Sequence, residues 1–155
     1  MLKLTPQQVS EVAQLPDQTL RHWRKVLPPL VGLNGYAPCF SPGDALALLV
    51  VRHLVKAMGI SVATLAPAST DLFSLCRSTS WPLLTDRLLV VDVDSGSVRV
   101  LDRDASFITP LIVIPMRAFA EQLQSAWASS FPSDDQLSLQ FPLSIDTSPA
   151  RIANA

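Results

Sequence analysis

Apolar positions open the chain at helical spacing. Val9, Val12 and Ala13 recur at i, i+3 and i+4 behind Thr5-Pro6, a cap residue followed by proline at the first helical position, and predict a short amphipathic helix. Leu15-Pro16-Asp17 breaks that pattern and restarts it. From 16 to 27, Leu20, Trp23 and Leu27 fall on one face of a second helix, with Gln18, Arg21, His22 and Lys25 on another. Two short helices joined by three or four residues are therefore expected.

Pro28-Pro29 ends the second helix, because proline lacks the amide hydrogen and clashes with the preceding turn. Asn34-Gly35, at the centre of residues 30–40, is a strong hairpin signal and predicts a two-stranded wing there. Ser41-Pro42-Gly43-Asp44 announces a third helix with a serine cap, running through Leu46, Leu49, Val50 and Leu54 to about Met58 and stopping at Gly59. Ser61 caps one further turn, which Pro67 is expected to close.

Farther on, 71–76 reads as a short helix. The β-rich runs 88–93 and 97–101 flank Ser95-Gly96 as a hairpin, with Val93 facing Val98, Asp92 facing Arg99 and Val91 facing Val100. Residues 107–114, interrupted by Pro110, suit an edge strand. Pro115 is expected to start a helix with Met116, Phe119, Leu123 and Trp127 on one face. Beyond Ser129 the chain is rich in Ser, Pro and Asp, the composition of a flexible tail.

Composition changes this picture little. At 155 residues and 48% apolar, the chain can build a packed interior. The longest apolar run, 45–51, is too short to span a bilayer, and the N-terminal residues lack a signal-peptide core, so a cytosolic protein is expected. Cys39 and Cys76 lack metal or redox spacing and read as reduced thiols.

Charge changes it more. The net of −1 divides unevenly. Residues 1–66 carry Lys3, Arg21, Arg24, Lys25, Arg52 and Lys56 against Glu11, Asp17 and Asp44, a net of +3; residues 67–155 carry six arginines against ten acids, a net of −4. Attraction to nucleic acid depends on where charge sits, and the basic excess is N-terminal.

Val9-Ser10-Glu11-Val12-Ala13, Thr19-Leu20-Arg21-His22-Trp23, Asn34-Gly35-Tyr36, Phe40-Ser41 and Met58-Gly59-Ile60-Ser61 follow one another in an order and spacing that resemble the MerR family of bacterial regulators. That resemblance covers about two-fifths of the chain. It implies, over 1–66, a winged helix-turn-helix of four short helices plus a wing, which the small β-hairpin and helix region read from the residues over 67–129 (for dimerisation or effector response) and the tail over 130–155 complete to an expected α+β fold class. It also implies double-stranded DNA as partner and binding as a homodimer. Three departures stand out. Ala37 occupies the place of the family's arginine after the glycine-tyrosine pair, no heptad pattern follows Pro67, and the metal sensors' cysteines have no counterpart.

The chemistry expected of the second helix follows from its polar stripe. Gln18, Thr19, Arg21 and His22 are assigned to base edges, and Arg24 and Lys25 to phosphates, because Arg and Gln form paired hydrogen bonds with guanine and adenine. Tyr36 at the wing tip is divided between DNA contact and packing on the second helix. Arg52 and Lys56 are candidates for a second backbone contact, against a plain solvated face. Trp23 reads as core. His22 and His53 form no ligand pair, and Asp92, Asp94, Asp102 and Asp104 read as solvated strand ends before a cation site, so no metal is expected. With no Gly-rich phosphate loop, nucleophile elbow or carboxylate–histidine constellation, neither an enzyme nor a cofactor is expected. The alternatives are an architectural excision factor of a mobile element and a protein-interaction module that keeps the fold without DNA contact.

Overall fold

The computed structural model describes residues 2–102, 104 and 106–130. The chain is mixed helix and sheet, of the α+β class. Helices α1 (Pro6–Val12) and α2 (Asp17–Val26) come first, then a single 3-10 turn at Pro28–Leu30. Helices α3 (Pro42–Lys56), α4 (Val62–Ser78) and α5 (Trp81–Thr85) follow. Strands β1 (Leu88–Asp92), β2 (Ser97–Leu101) and β3 (Ile112–Pro115) lead into α6 (Met116–Ser130). Among the described residues no helix is long and apolar enough to cross a membrane.

Local chemistry accounts for the helix starts. Thr5 and Gln8 form a reciprocal capping box on α1, and Ser41 and Asp44 form another on α3. In each case proline occupies the first position, where its missing N–H removes no bond. Ser61 caps α4 by accepting from the Thr64 N–H at 3.1 Å. Helix α3 is the centre of the molecule. All ten residues from Pro42 to Val51 are buried, because α3 has α4 on one side and α6 on another.

Several expectations need correction. No two-stranded wing forms over 30–40. Asn34-Gly35 does turn, with Gly35 at φ +88°, but among the described residues the only pairing nearby is the isolated bridge between Leu4 and Phe40. Leu30 and Phe40 are drawn into the core and Leu33 packs against it, while Pro38 lacks a ladder donor, so burial and proline chemistry win over the turn signal. Pro67 does not end a helix either. Helix α4 runs through it to Ser78, absorbing residues 71–76, so the boundary expected at 66/67 falls inside α4. The bond lost at Pro67 is outweighed by the buried face Leu65, Ala68, Leu72, Phe73 and Cys76. Helices α3 and α4 are consequently not short.

The hairpin exists in a different register. Val91 pairs with Val98, Asp92 with Ser97 and Val90 with Arg99, two residues from the expected pairing. The Asp92 carboxylate accepts the N–H groups of Asp94 and Ser95 at 3.1 Å each and closes a four-residue turn at 93–96. A shift of two keeps every side chain on its face, so the hydrophobic pattern could not have set the register. Strand β3 pairs antiparallel with β1 on the other side, giving the order β2-β1-β3. Pro115 closes β3, and α6 starts one residue later with Met116, Phe119 and Leu123 buried as expected. Helix α5 was not anticipated, although Ser80 followed by Trp81-Pro82 is a helix start. The tail expected from residue 130 onward lies outside the described residues, save Ser130 itself, which ends α6.

Both cysteines are free thiols, Cys39 half-buried and Cys76 buried. Burial, reinforced by the nearby Asp44 carboxylate, pushes the Cys76 thiol from 9.0 up to about 12. Above pH 9 the unfolded chain therefore sheds this proton while the folded one keeps it, and stability falls as pH rises from about 9 toward 12. Urea unfolding at pH 8 and pH 10.5 should show a smaller loss at the higher pH for Cys76→Ala than for the parent. Equal losses would contradict the assignment.

Candidate nucleic-acid interface

Helix α2 is anchored by Leu20 and Trp23, both buried, and by Leu27 at its C-terminal cap. Its start is set by the turn at 13–16, where Gln14 takes φ +54° and the Leu15 N–H bonds the Ser10 carbonyl at 2.8 Å. Leu15, in that turn, is buried in the core. With one face so committed, the other is necessarily outward. Gln18, Arg21, His22 and Lys25 are all exposed, and Thr19 is half-buried at the edge of this row. Trp23 belongs to the core, as expected.

The remaining candidates do not form a single surface. Arg24 is half-buried and already engaged. Both terminal nitrogens of its guanidinium donate to the Gly35 carbonyl, at 3.3 and 3.4 Å, and the group stands 5.6 Å from the centre of the Phe40 ring. It ties the 31–39 loop to α2. Tyr36, at the crest of that loop, is 84% exposed. Arg52 and Lys56 lie on the C-terminal half of α3. There Lys56 is exposed, the Arg52 Nε is buried without a hydrogen-bond partner, and the neighbouring His53 ring meets Phe119 edge-on at 5.3 Å.

A groove of about 490 Å³ runs between α1 and α2 beside the exposed row. Arg21, Arg24 and Tyr36 line it together with Gln7, Glu11 and Asp17. Of the nine sequence candidates, these three are thus brought together, while Arg52 and Lys56 stay outside. Gln7 was missed by the sequence reading, although it lies on the exposed side of α1 in the helical pattern that buries Val9 and Val12. The groove is electrically mixed, because Glu11 of α1 and Asp17 of α2 line it together with Arg21 and Arg24 of α2. The cationic character is therefore concentrated on the exposed row, at Arg21 and Lys25.

Among the described residues no cluster of three or more His, Cys, Asp or Glu is placed to hold a metal ion. Asp92 is instead part of the hairpin turn, where hydrogen bonds from Ser95 hold its carboxyl below the usual range. Comparison with family models, with curated proteins and with solved structures gave no match.

Proposed function

We propose that the protein is a sequence-specific DNA-binding transcriptional regulator, reading the major groove with α2 and binding as a homodimer. The observation that carries this reading is the exposed row Gln18, Arg21, His22 and Lys25 on a helix whose opposite face is locked into the core. A helix fits the major groove of B-DNA, and a rigid one presents its donors without first ordering them. Arg21 and Gln18 suit guanine and adenine edges, Thr19 and His22 lie at the margins of the same contact, and Lys25 suits a phosphate. The α1–turn–α2 unit is read as the helix-turn-helix of a MerR-like domain, with the 31–39 loop standing where the family has its wing. Arg24 then positions that loop, and Tyr36, for the flanking phosphate or minor groove. One short helix reads few base pairs, so a symmetric dimer on two half-sites is the expected binding unit.

A protein-interaction module is the second reading, favoured by the absence of wing strands and by the internal engagement of Arg24. Titration of the full chain against fragments flanking its own gene separates the two. Regulator binding is expected to weaken steeply with salt. Arg21→Ala should cost about 1–3 kcal/mol and relax preference at one base pair, while Lys25→Ala should weaken all sequences alike and reduce the salt slope by about 1. No binding at any salt concentration would favour the interaction module. Strong bending without effect on a promoter fusion would indicate an excision factor.

A further inference from the structure

A serine inside a helix commonly satisfies its hydroxyl on a carbonyl of the preceding turn. Ser69, Ser78 and Ser129 do so here, donating to the carbonyls of Ala66, Ser74 and Ser125 at 2.6, 2.7 and 3.0 Å. Ser10 of α1 does not. It is 6% exposed, its Oγ is buried, and among the described residues that atom has no hydrogen-bond partner. A buried hydroxyl left unpaired is unfavourable and calls for an acceptor. Ser10 lines the groove between α1 and α2, so a molecule seated in that groove is placed to supply one.

The charges around Ser10 are unmatched as well. Glu11 of α1 and Asp17 and Arg21 of α2 line the same groove, and among the described residues none of the three forms an ion pair. Arg24 contributes less, because its guanidinium is turned to the Gly35 carbonyl. Opposite charges that share a groove without meeting suit a molecule that carries both signs. The volume of about 490 Å³ lies in the range of small-molecule sites.

A free amino acid holds its two charges on one carbon. A dipeptide moves them apart by one further residue, about 3.5 Å, and sets a carbonyl acceptor between them. We propose that this groove binds a small zwitterion of dipeptide size. Its carboxylate meets the fork of Arg21, its ammonium meets the acidic side formed by Glu11 and Asp17, and its peptide carbonyl accepts from Ser10. Exposed charges are worth little in water, so binding is weak, with a dissociation constant of about 1 mM. Occupancy also withdraws Arg21 from the exposed row, and so lowers affinity for DNA. That second step rests on the DNA-binding reading; occupancy of the groove does not.

Titration of the full chain with alanyl-leucine, followed by amide chemical shifts, tests occupancy. Saturable shifts are expected at Ser10, Glu11, Asp17 and Arg21, while the amides of β1, β2 and β3 stay in place. Free leucine, and the dipeptide capped at both ends so that it carries no charge, should each bind about 10-fold more weakly. Ser10→Ala should weaken alanyl-leucine about 5- to 10-fold without lowering the melting temperature, since it removes an unpaired hydroxyl. A serine needed only for the fold would show the reverse. Absence of a saturable shift up to about 20 mM, well above the expected constant, would overturn the proposal. So would equal binding of the capped dipeptide. Saturating alanyl-leucine should then reduce DNA affinity several-fold, and unchanged DNA affinity with the groove occupied would overturn the coupling. A chain that binds the dipeptide but no DNA would refute the regulator reading and still support the groove.

Discussion

Gly43→Ala is expected to lower the unfolding free energy by about 3 kcal/mol, toward the upper end of what overpacking costs. Gly43 is the second residue of α3, and α4 crosses it without space between. A Cβ placed there would overlap the Cys76 carbonyl oxygen and come within 2.8 Å of the Cys76 carbonyl carbon and the Arg77 Cα. All three are backbone atoms, which cannot rotate aside, so α4 itself must move. Movement there disturbs the most extensive helix–helix contact among the described residues and the buried residues Phe73 and Cys76 with it. Alanine's better helix propensity returns at most about 1 kcal/mol. For a domain of this size the loss corresponds to a melting temperature lower by roughly 6–12 °C. Gly32→Ala is the control, because nothing lies within 4 Å of that position, and its expected change is under about 0.5 kcal/mol. Equal melting curves for the two variants would show that α3 and α4 do not approach as described.

Asp44→Ala is expected to cost nearly as much, about 2–4 kcal/mol. Its carboxylate is 3% exposed and accepts three hydrogen bonds, from the Ser41 N–H at 2.7 Å, the Ser41 hydroxyl at 2.8 Å and Arg77 Nε at 2.6 Å. Arg77 also donates to the Pro29 carbonyl at 3.3 Å and lies 5.6 Å from the Phe73 ring. One carboxylate thus joins the start of α3 to the end of α4, and through Arg77 to the 3-10 turn. Truncation leaves the Ser41 N–H unpaired and removes the side-chain half of the capping box, while the Ser41 hydroxyl still accepts from the N–H of residue 44. Arg77 is 39% exposed, so water replaces part of what it loses, which keeps the cost below that of a fully buried pair. Asp44→Asn keeps an acceptor for Ser41 and should fall about halfway. Denaturant titration measures both, and a cost under about 0.5 kcal/mol for the alanine variant would remove Asp44 from this role.

The candidate site was more legible than the architecture around it. The 3, 1, 3 spacing of Gln18, Arg21, His22 and Lys25 against Leu20, Trp23 and Leu27 is a property of one helix, and one helix is enough to place them. Arg24 was assigned to a phosphate although it is not part of that row, and it is half-buried. Its engagement with Gly35 and Phe40 depends on a loop 11 residues away. Asp44 shows the same division. Its role in the cap is local and readable, while its partner Arg77 is 33 residues distant and was not foreseen.

The amino-acid sequence alone determined where α1, α2, α3 and α6 begin and which face of α2 is apolar, because caps, prolines and hydrophobic spacing act within a few residues. It likewise determined that 88–101 forms a hairpin, since turn and strand signals adjoin. Only the tertiary structure decided that α4 continues through Pro67, that the 31–39 loop stays unpaired, and that β1 and β2 meet two residues from the expected register. The first two outcomes are competitions between a local preference worth about 1–3 kcal/mol and burial against residues distant in sequence, and the third follows the turn that Asp92 closes. The competing contacts do not exist until the chain has folded.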